Sequence, residues 1–207
     1  MDFTEFVLSH LPPAPARVLD VGCGDVGGVV PALLDAGYDA YGIDPRAPDG
    51  PRYDHGDYRD VAETYDAVVA GRVLHHLHPL GASLDKLAEL APLLVVDEFA
   101  YDLIDPAAQD WYESQYRMLA AAGSPPQAPE SLDKWRWEHP GMHPHGVLLD
   151  GLRARYDERE LEWVPYLHRW LRGPSSEALE TSLVDAGAFP AIGWRWAGVR
   201  HPGRRSG

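Results

Sequence analysis

The chain has 207 residues, of which 45% are hydrophobic, and a formal net charge of −14 from 18 Lys plus Arg against 32 Asp plus Glu. This length and composition predict a single α/β domain over residues 1–207, with a modest insertion, and argue against global disorder. The negative charge disfavours nucleic acids and anionic membranes as partners, because both would be repelled.

Several features of the sequence bear on the cellular compartment. Cys23 is the only cysteine, so no internal disulfide can form, which is typical of a reducing compartment. Asp2 and Glu5 stand where a signal peptide would carry basic residues, and no apolar run reaches membrane-spanning length. We therefore expect a cytoplasmic protein without a membrane segment.

The N-terminal residues predict a short helix followed by a buried strand. Phe3, Phe6, Val7 and Leu11 recur at helical spacing, and prolines end this pattern. The apolar run Arg17–Val21 then predicts a strand that is buried on both faces, as in a parallel sheet.

A glycine loop follows this strand. Gly22, Gly24 and Gly27 form the pattern G-x-G-x-x-G, and a helical pattern continues from Val29 to Ala36. Glycines let the backbone approach a ligand, and the amides that open a helix attract its polar end. The strand, loop and helix therefore predict a nucleotide-type cofactor site. Cys23, inside the loop, is interpreted as a small packing residue.

Asp20 ends the first strand and helps to separate the candidate cofactors. A carboxylate at this turn would repel the two phosphates of a nicotinamide cofactor. It would attract the ammonium and sulfonium groups of S-adenosylmethionine, so we expect Asp20 to face a ligand of that kind. The alternative is that Asp20 only accepts hydrogen bonds from amides of the loop.

The second strand is predicted at Asp39–Ile43 and ends at Asp44. An acidic residue at this place, about 20 positions beyond the glycine loop, can bind the two hydroxyls of a ribose. Pro45 follows, and Arg46 only weakly suggests a site for a 2′-phosphate. An acidic surface turn is the alternative interpretation of Asp44.

A weak third strand at Arg52–Asp54 leads into Gly56, Asp57 and Tyr58. Asp57 could accept a hydrogen bond from an adenine amino group, with Tyr58 packing nearby. An ordinary loop explains these residues equally well.

The fourth strand is predicted at Tyr65–Ala70 and is again apolar on both faces. It runs into Gly71 and Arg72, and a pair of histidines, His75 and His76, follows shortly after.

Hydrophobic periodicity predicts the remaining elements. They are a helix at Leu80–Leu90, a strand at Leu93–Val96 that ends at Asp97-Glu98, helices at Ala107–Ala122, Val147–Arg155 and Ser176–Ala186, and strands at Leu161–Leu167 and Ile192–Val199.

The segment from about residue 100 to residue 145 is predicted to be an insertion after the fifth strand. It contains a proline-rich break at 123–129 and a block dense in aromatic side chains. We interpret it as a lid over the cofactor end of the sheet, with an aromatic pocket for an organic substrate. The candidate substrate residues are Trp111, Tyr112, Trp135, Trp137, His139 and His143.

Three histidines in this segment, His139, His143 and His145, raise the question of a metal site. Pro140 and Pro144 break any helix that would align them, and no cysteine assists. We predict no bound metal.

Five motifs occur in an order that resembles the class I S-adenosylmethionine-dependent methyltransferases. They are Val18–Gly24, Tyr41–Asp44, Gly56–Tyr58, Tyr65–Val69 and Val73–Leu77. The resemblance covers the first half of the chain at the level of motifs. It implies a Rossmann-like three-layer α/β sandwich with a seven-stranded, mostly parallel sheet whose last strand is antiparallel.

The resemblance also implies S-adenosylmethionine as cofactor and assigns roles to residues. Asp20 and Gly22 would hold its methionine end, Asp44 its ribose, and Asp57 with Tyr58 its adenine. The candidate cofactor residues are Asp20, Gly22, Cys23, Gly24, Gly27, Asp44, Pro45, Asp57, Tyr58, Gly71 and Arg72.

Within this interpretation, His75 or His76 could remove the proton of a small hydroxyl or amine acceptor. We slightly favour His76, since the turn should point one ring inward; the alternative is that both only pack the turn. Two other functions stay open: an NAD(P)-dependent oxidoreductase, and a cofactor-binding protein without methyl transfer.

Overall fold

A computed structural model describes residues 1–124, 126, 128–171 and 174–202. Within these ranges seven strands form one sheet in the order β3-β2-β1-β4-β5-β7-β6. Strands β1 to β5 pair in parallel, and β7 is antiparallel to its neighbours. The predicted seven-stranded, mostly parallel sheet is therefore confirmed. The strands are β1 Arg17–Val21, β2 Asp39–Ile43, β3 Tyr53–Asp54, β4 Ala67–Gly71, β5 Leu93–Phe99, β6 Tyr156–Val164 and β7 Gly193–Arg200.

Eight α-helices lie within the described ranges. They are α1 Phe3–His10, α2 Val30–Asp35, α3 Leu80–Leu90, α4 Pro106–Ala121, α5 Leu132–Glu138, α6 His145–Arg153, α7 His168–Leu171 and α8 Pro174–Asp185. Short 3₁₀ turns occur at Tyr58–Asp60, Leu74–His76 and Tyr101–Leu103. No helix among these residues is both long and apolar enough to cross a bilayer.

The chain divides into two compact units. The first contains residues 1–98, 146–162 and the chain from residue 195, and the second contains residues 99–145 and 163–194. The second unit therefore includes more of the chain than the predicted insertion at about 100–145.

The core of the first unit explains why its strands form where the sequence predicts them. Val18 of β1, Val69 of β4 and Val95 of β5 belong to one buried cluster with Phe6 of α1 and Leu33 of α2. Each of these side chains is fully buried. Burying one branched aliphatic side chain contributes about 1.5–3 kcal/mol. A shift of a strand by one residue would move its side chains to the opposite face of the sheet, so the burial of these side chains fixes the register.

The structure differs from the sequence predictions in two strands and in one helix that was not predicted. Strand β5 continues through Asp97, Glu98 and Phe99, although the apolar run ends earlier. Strand β6 begins at Tyr156, five residues before the predicted Leu161. The aromatic block also contains a regular helix, α5, whose first turn is capped by the Ser131 side chain.

Candidate functional site

The glycine loop at the end of β1 is packed too tightly to carry side chains at two positions. Gly22 has φ +80°, and a Cβ there would lie 3.0 Å from the Val73 side chain. Gly28 has φ +56°, and a Cβ there would overlap the Asp20 carboxylate. Both conformations are left-handed, which only glycine adopts without strain. The backbone can therefore turn closely at the carboxyl end of β1, as predicted.

Asp20 is buried, with 3% of its surface exposed, and its Oδ2 accepts a hydrogen bond from the Val29 amide at 2.8 Å. The structure thus shows the contact of the alternative interpretation, in which Asp20 holds the loop. Burial raises the pKa of this carboxyl to about 7; the Val29 hydrogen bond and the charge of Arg72 oppose the rise only in part. A direct contact of Asp20 with a cofactor stays a prediction.

Cys23 is buried and lies close to Gly42 of the neighbouring strand. Burial raises the pKa of its thiol to about 12, with a smaller contribution from Asp20 and Asp44. The thiol therefore stays protonated at neutral pH, as a packing residue does and a nucleophile does not.

Asp44 begins the loop after β2, and its side chain is 13% exposed. Its Oδ1 accepts a hydrogen bond from the Arg46 amide at 2.7 Å, while the Arg46 guanidinium is 3.9 Å away and largely exposed. One carboxylate oxygen therefore fixes the turn, and Asp44 also lines a cavity between these loops.

Asp57 and Tyr58 follow β3. Asp57 caps the 3₁₀ turn that begins at Tyr58, and its carboxylate accepts hydrogen bonds from the amide and the guanidinium of Arg59, both at 3.0 Å. Tyr58 is 7% exposed, and its hydroxyl has no hydrogen-bond partner within the described part of the chain. A buried hydroxyl without a partner is costly, and it marks a place where a ligand can donate or accept.

These loops enclose a cavity of about 170 Å³ at the carboxyl ends of β1 and β2. It brings together five of the predicted cofactor residues: Gly22, Asp44, Pro45, Asp57 and Tyr58. The remaining lining residues are Val21, Ile43, Gly56, Arg59, Val73 and Leu77. The other predicted residues, Asp20, Cys23, Gly24, Gly27, Gly71 and Arg72, lie outside this lining. Apolar walls with two carboxylates and an unpaired hydroxyl suit a ligand with hydroxyl and amino groups.

A larger groove of about 590 Å³ shares Ile43, Gly56 and Asp57 with this cavity and continues over the face of β1 and β2. Residues 61–66, between β3 and β4, form no helix, and three of them, Val61, Glu63 and Tyr65, line this groove. The guanidinium of Arg52 lies 4.8 Å from the centre of the Tyr41 ring in this groove. Sequence reasoning did not find the groove, since a missing helix leaves no residue signal.

Gly71 and Arg72 end β4. Arg72 has φ +58°, the one non-glycine residue with a left-handed backbone in the described chain. Its amide donates to the Asp97 carbonyl at 2.6 Å, which ties the end of β4 to β5. Such a conformation costs an arginine about 1–2 kcal/mol, and strain of this kind concentrates at functional sites.

The two histidines after β4 have different surroundings. His75 is 4% exposed, and its Nδ1 lies 2.8 Å from Oε2 of Glu98, which is fully buried. His76 is exposed, with its ring centre 4.1 Å from that of His75. The structure therefore turns His75 inward, whereas the sequence slightly favoured His76. Glu98 is the residue that sequence reasoning missed, and its only signal is its place at the end of the strand beside β4.

The predicted substrate residues lie in the second unit. Tyr112 is fully buried and Trp137 is 81% exposed. Trp135 packs against Phe99, and its ring stacks on His139 at 4.8 Å between centres. These contacts belong to an aromatic cluster that also includes Trp111.

The remaining candidate, His143, is partly exposed. A substrate role for these six residues stays a prediction. His145, the third histidine weighed as a metal ligand, lies 2.8 Å from Asp102 through its Nδ1. Among the described residues, no group of three or more His, Cys, Asp or Glu side chains is arranged to hold a metal ion.

Comparison with solved structures shows the same fold in several proteins. An S-adenosylmethionine-dependent methyltransferase from Mesorhizobium loti is 16% identical with a TM-score of 0.59, and the match covers 95% of this chain and 96% of that one. Magnesium protoporphyrin IX methyltransferase from Synechocystis PCC 6803, with bound SAH, is 17% identical with a TM-score of 0.55, over 96% of this chain and 80% of that one. A possible histamine N-methyltransferase from Thermotoga maritima is 13% identical with a TM-score of 0.57, over 96% and 87% of the two chains.

These identities establish the fold alone, and a comparison with curated proteins gave no match. The family is shown by a model described as a methyltransferase domain, which matches residues 1–166 of the 207. The chain therefore belongs to this methyltransferase family, and the resemblance to class I S-adenosylmethionine-dependent methyltransferases is confirmed.

Proposed function

We propose that this methyltransferase transfers the methyl group of S-adenosylmethionine to an oxygen or nitrogen atom of a small organic acceptor. The observation that carries the proposal is the cavity behind the glycine loop, which joins Asp44, Asp57 and the unpaired hydroxyl of Tyr58 in a chain of this family. The net charge of −14 supports a small acceptor over a nucleic acid.

The residues of the cavity fit the adenosine part of this cofactor. The Asp44 carboxylate would accept hydrogen bonds from the two ribose hydroxyls, and Asp57 would accept one from the adenine amino group. The Tyr58 hydroxyl would gain the partner that it lacks within the described chain. Gly22, whose left-handed backbone packs against Val73, would form the close turn beside the methionine end. When bound, the cofactor supplies a methyl group already activated by its sulfonium.

His75 is the proposed general base. An acceptor hydroxyl or protonated amine must lose a proton, and an imidazole can accept it near neutral pH. The turn that carries His75 lies between Val73 and Leu77, both of which line the cavity. His76 is the second candidate for this role. The acceptor contacts of Trp111, Tyr112, Trp135, Trp137, His139 and His143 stay predictions, as does a lid role for residues 100–145.

Calorimetric titration tests the cofactor, and product release tests the reaction. We expect S-adenosylmethionine to bind in the micromolar range and NAD(P)H to give no signal. We expect S-adenosylhomocysteine to be released with at least one member of a panel of phenols, carboxylic acids and primary amines. Binding of S-adenosylmethionine without release from any acceptor would favour the alternative, a cofactor-binding protein without methyl transfer.

A further inference from the structure

The groove of about 590 Å³ lies over one face of β1 and β2. Arg17 pairs with Asp39 and Leu19 with Tyr41 in the register of these strands, so their side chains share this face. Val18 points to the opposite face, where it belongs to the buried cluster that includes residues of α1 and α2. In the described chain, helices therefore cover one face of this strand pair, and the groove lies over the other.

The connection between β3 and β4 is held beside the groove. Nζ of Lys86 in α3 donates a hydrogen bond to the Val61 carbonyl at 2.7 Å, and the Tyr65 amide donates one to the Leu90 carbonyl at 2.8 Å. Residues 61–66 are thus attached to α3 and to the residue that ends it. A ligand would meet a preformed surface, which lowers the entropic cost of binding.

The floor of the groove consists of stacked tyrosine and arginine side chains. The guanidinium of Arg52 lies 4.8 Å from the centre of the Tyr41 ring, and that of Arg17 lies 4.9 Å from the centre of the Tyr65 ring. Both arginines also pair with Asp39. Tyrosine and arginine are enriched at the centres of protein–protein interfaces, so this floor has the composition of a protein-binding surface.

The rim of the groove is acidic. Asp54, Asp60 and Glu63 line it and are exposed, and within the described part of the chain none of them forms an ion pair. The fourth acidic lining residue, Asp57, is paired with Arg59. These three carboxylates, on a chain of net charge −14, attract a basic ligand and repel a second copy of the chain.

The dimensions of the open face suit a helix. Strand β1 has five residues and spans roughly 16 Å, which equals about three turns of an α-helix. An amphipathic helix lying in a groove is a recurrent mode of recognition, in which apolar side chains on one face act as anchors. A parallel sheet is normally covered on both faces, and such a helix would supply the cover that β1 and β2 lack.

We propose that this groove docks a basic amphipathic helix of a partner protein. The apolar face of the helix packs on the tyrosine rings of the floor, and its Lys or Arg side chains pair with Asp54, Asp60 and Glu63. This interaction is separate from methyl transfer and does not depend on the proposed function.

The probe is a synthetic helical peptide of about four turns, with leucines along one face and lysines on both sides. Its control carries glutamate in place of every lysine. Calorimetry with the full-length protein should give a dissociation constant of about 10 μM for the lysine peptide and no binding of the glutamate peptide. Amide shifts in NMR should centre on the groove residues of β1 and β2 and on residues 61–65.

Two double variants separate the groove from the general charge of the protein. Asp60→Asn with Glu63→Gln should weaken the lysine peptide roughly three- to thirtyfold, since each surface ion pair contributes modestly. Asp35→Asn with Glu89→Gln removes the same charge from exposed positions that line neither cavity, and should change affinity less than about twofold.

Several results would overturn the proposal. They are the absence of binding by the lysine peptide, equal losses in the two double variants, and amide shifts centred outside the groove. Spermidine bound at the same amides as tightly as the peptide would assign the groove to a small polycation. A dimer in sedimentation that shifts these amides on dilution would assign it to a second copy.

Discussion

Two histidine turns, one in each unit of this protein, are built by the same contacts. In the first unit Glu98 binds two amides of a turn and Nδ1 of His75. In the second unit Glu180 binds three amides of residues 166–168 and Nδ1 of His168. Both glutamates are almost fully buried. A buried carboxylate with three or four donors is thus a general way to hold a turn and a ring.

The surroundings of the two turns differ. His75 lies between two residues that line the 170 Å³ cavity. Nε2 of His168 lies 3.8 Å from the exposed Glu177, and the adjacent Tyr166 stacks on Phe99 in the aromatic cluster. The comparison teaches that the hydrogen-bond pattern of a histidine does not by itself identify a catalytic residue. The role of such a histidine depends on the groups and cavities that surround its imidazole ring.

The largest expected effect tests this difference directly. We expect His75→Asn to lower turnover about a hundred- to ten-thousandfold, because a general base contributes that much to rate. His168→Asn should leave turnover within a few-fold of wild type. Single-turnover release of S-adenosylhomocysteine measures both.

Thermal unfolding of the same two variants provides the control. Since each asparagine loses one charge-assisted hydrogen bond, both should lose a similar stability of about 1.5–3 kcal/mol. A similar loss of turnover in His75→Asn and His168→Asn would mean that the two turns do not differ in function.

Asp20 supplies the second test, since it is a buried carboxylate with one backbone donor where Glu98 has several. Its pKa is raised by burial from 3.8 to about 7, so the folded state retains a proton that the unfolded state loses as pH rises from 4 to 7. The wild type should therefore lose up to roughly 4 kcal/mol of stability across this interval and no more above it. Asp20→Asn keeps an oxygen for the Val29 amide but cannot ionise.

The measured quantity is the difference in unfolding free energy between Asp20→Asn and wild type at several pH values. It should grow in favour of the variant between pH 4 and 7 and then stay constant. A difference that does not vary with pH would mean that Asp20 titrates in the folded protein as it does in the unfolded chain.

A third test concerns the cluster of the second unit. Trp135 packs against Trp170 with ring centres 5.1 Å apart, whereas Trp137 of the same helix is 81% exposed. We expect Trp135→Ala to cost about 3 kcal/mol, or a melting temperature lowered by roughly 6–12 °C. Trp137→Ala should stay within about 0.5 kcal/mol of wild type.

Turnover of these two variants adds a functional reading. A loss of turnover in Trp137→Ala with unchanged melting temperature would support an acceptor contact for this residue. Normal turnover would leave Trp137 as a surface side chain, and the sequence prediction of a substrate role would fail there.

Much of the first unit could be predicted from the sequence because its signals are local. Apolar runs predicted the strands β1, β2 and β4, and the glycine pattern predicted the loop that lies beside Asp20 in the structure. Strand β6 was misplaced because it lies at the edge of the sheet: its residues from Asp157 to Glu160 are exposed and polar, and edge strands need no apolar run.

The acidic end of β5 could not be predicted for a different reason. From the sequence alone, Asp97 and Glu98 are expected to begin a loop, because isolated carboxylates are rarely buried. Their burial depends on Arg195, 3.6 Å from Asp97, and on His75, and both pairings join residues far apart in sequence. The orientation of the His75 and His76 rings could not be predicted for a similar reason, since the 3₁₀ turn that carries them is held by Glu98, which is distant in sequence.

The smallest expected effect concerns Asp44. It tests whether the cofactor binds in the cavity next to the turn that carries His75. We expect Asp44→Ala to weaken S-adenosylmethionine binding by roughly ten- to a hundredfold, since charge-assisted hydrogen bonds contribute about 1.5–3 kcal/mol. The matched control is Asp49→Ala, which removes an exposed carboxylate 3.2 Å from His55 in the same loop and should leave affinity unchanged. Because Asp44 also accepts from the Arg46 amide, melting temperatures must show that Asp44→Ala keeps the turn. An unchanged dissociation constant for S-adenosylmethionine in calorimetry would mean that the ribose binds outside this cavity. The expected difference between His75→Asn and His168→Asn would then have no basis, because it assumes that the cofactor binds next to the His75 turn.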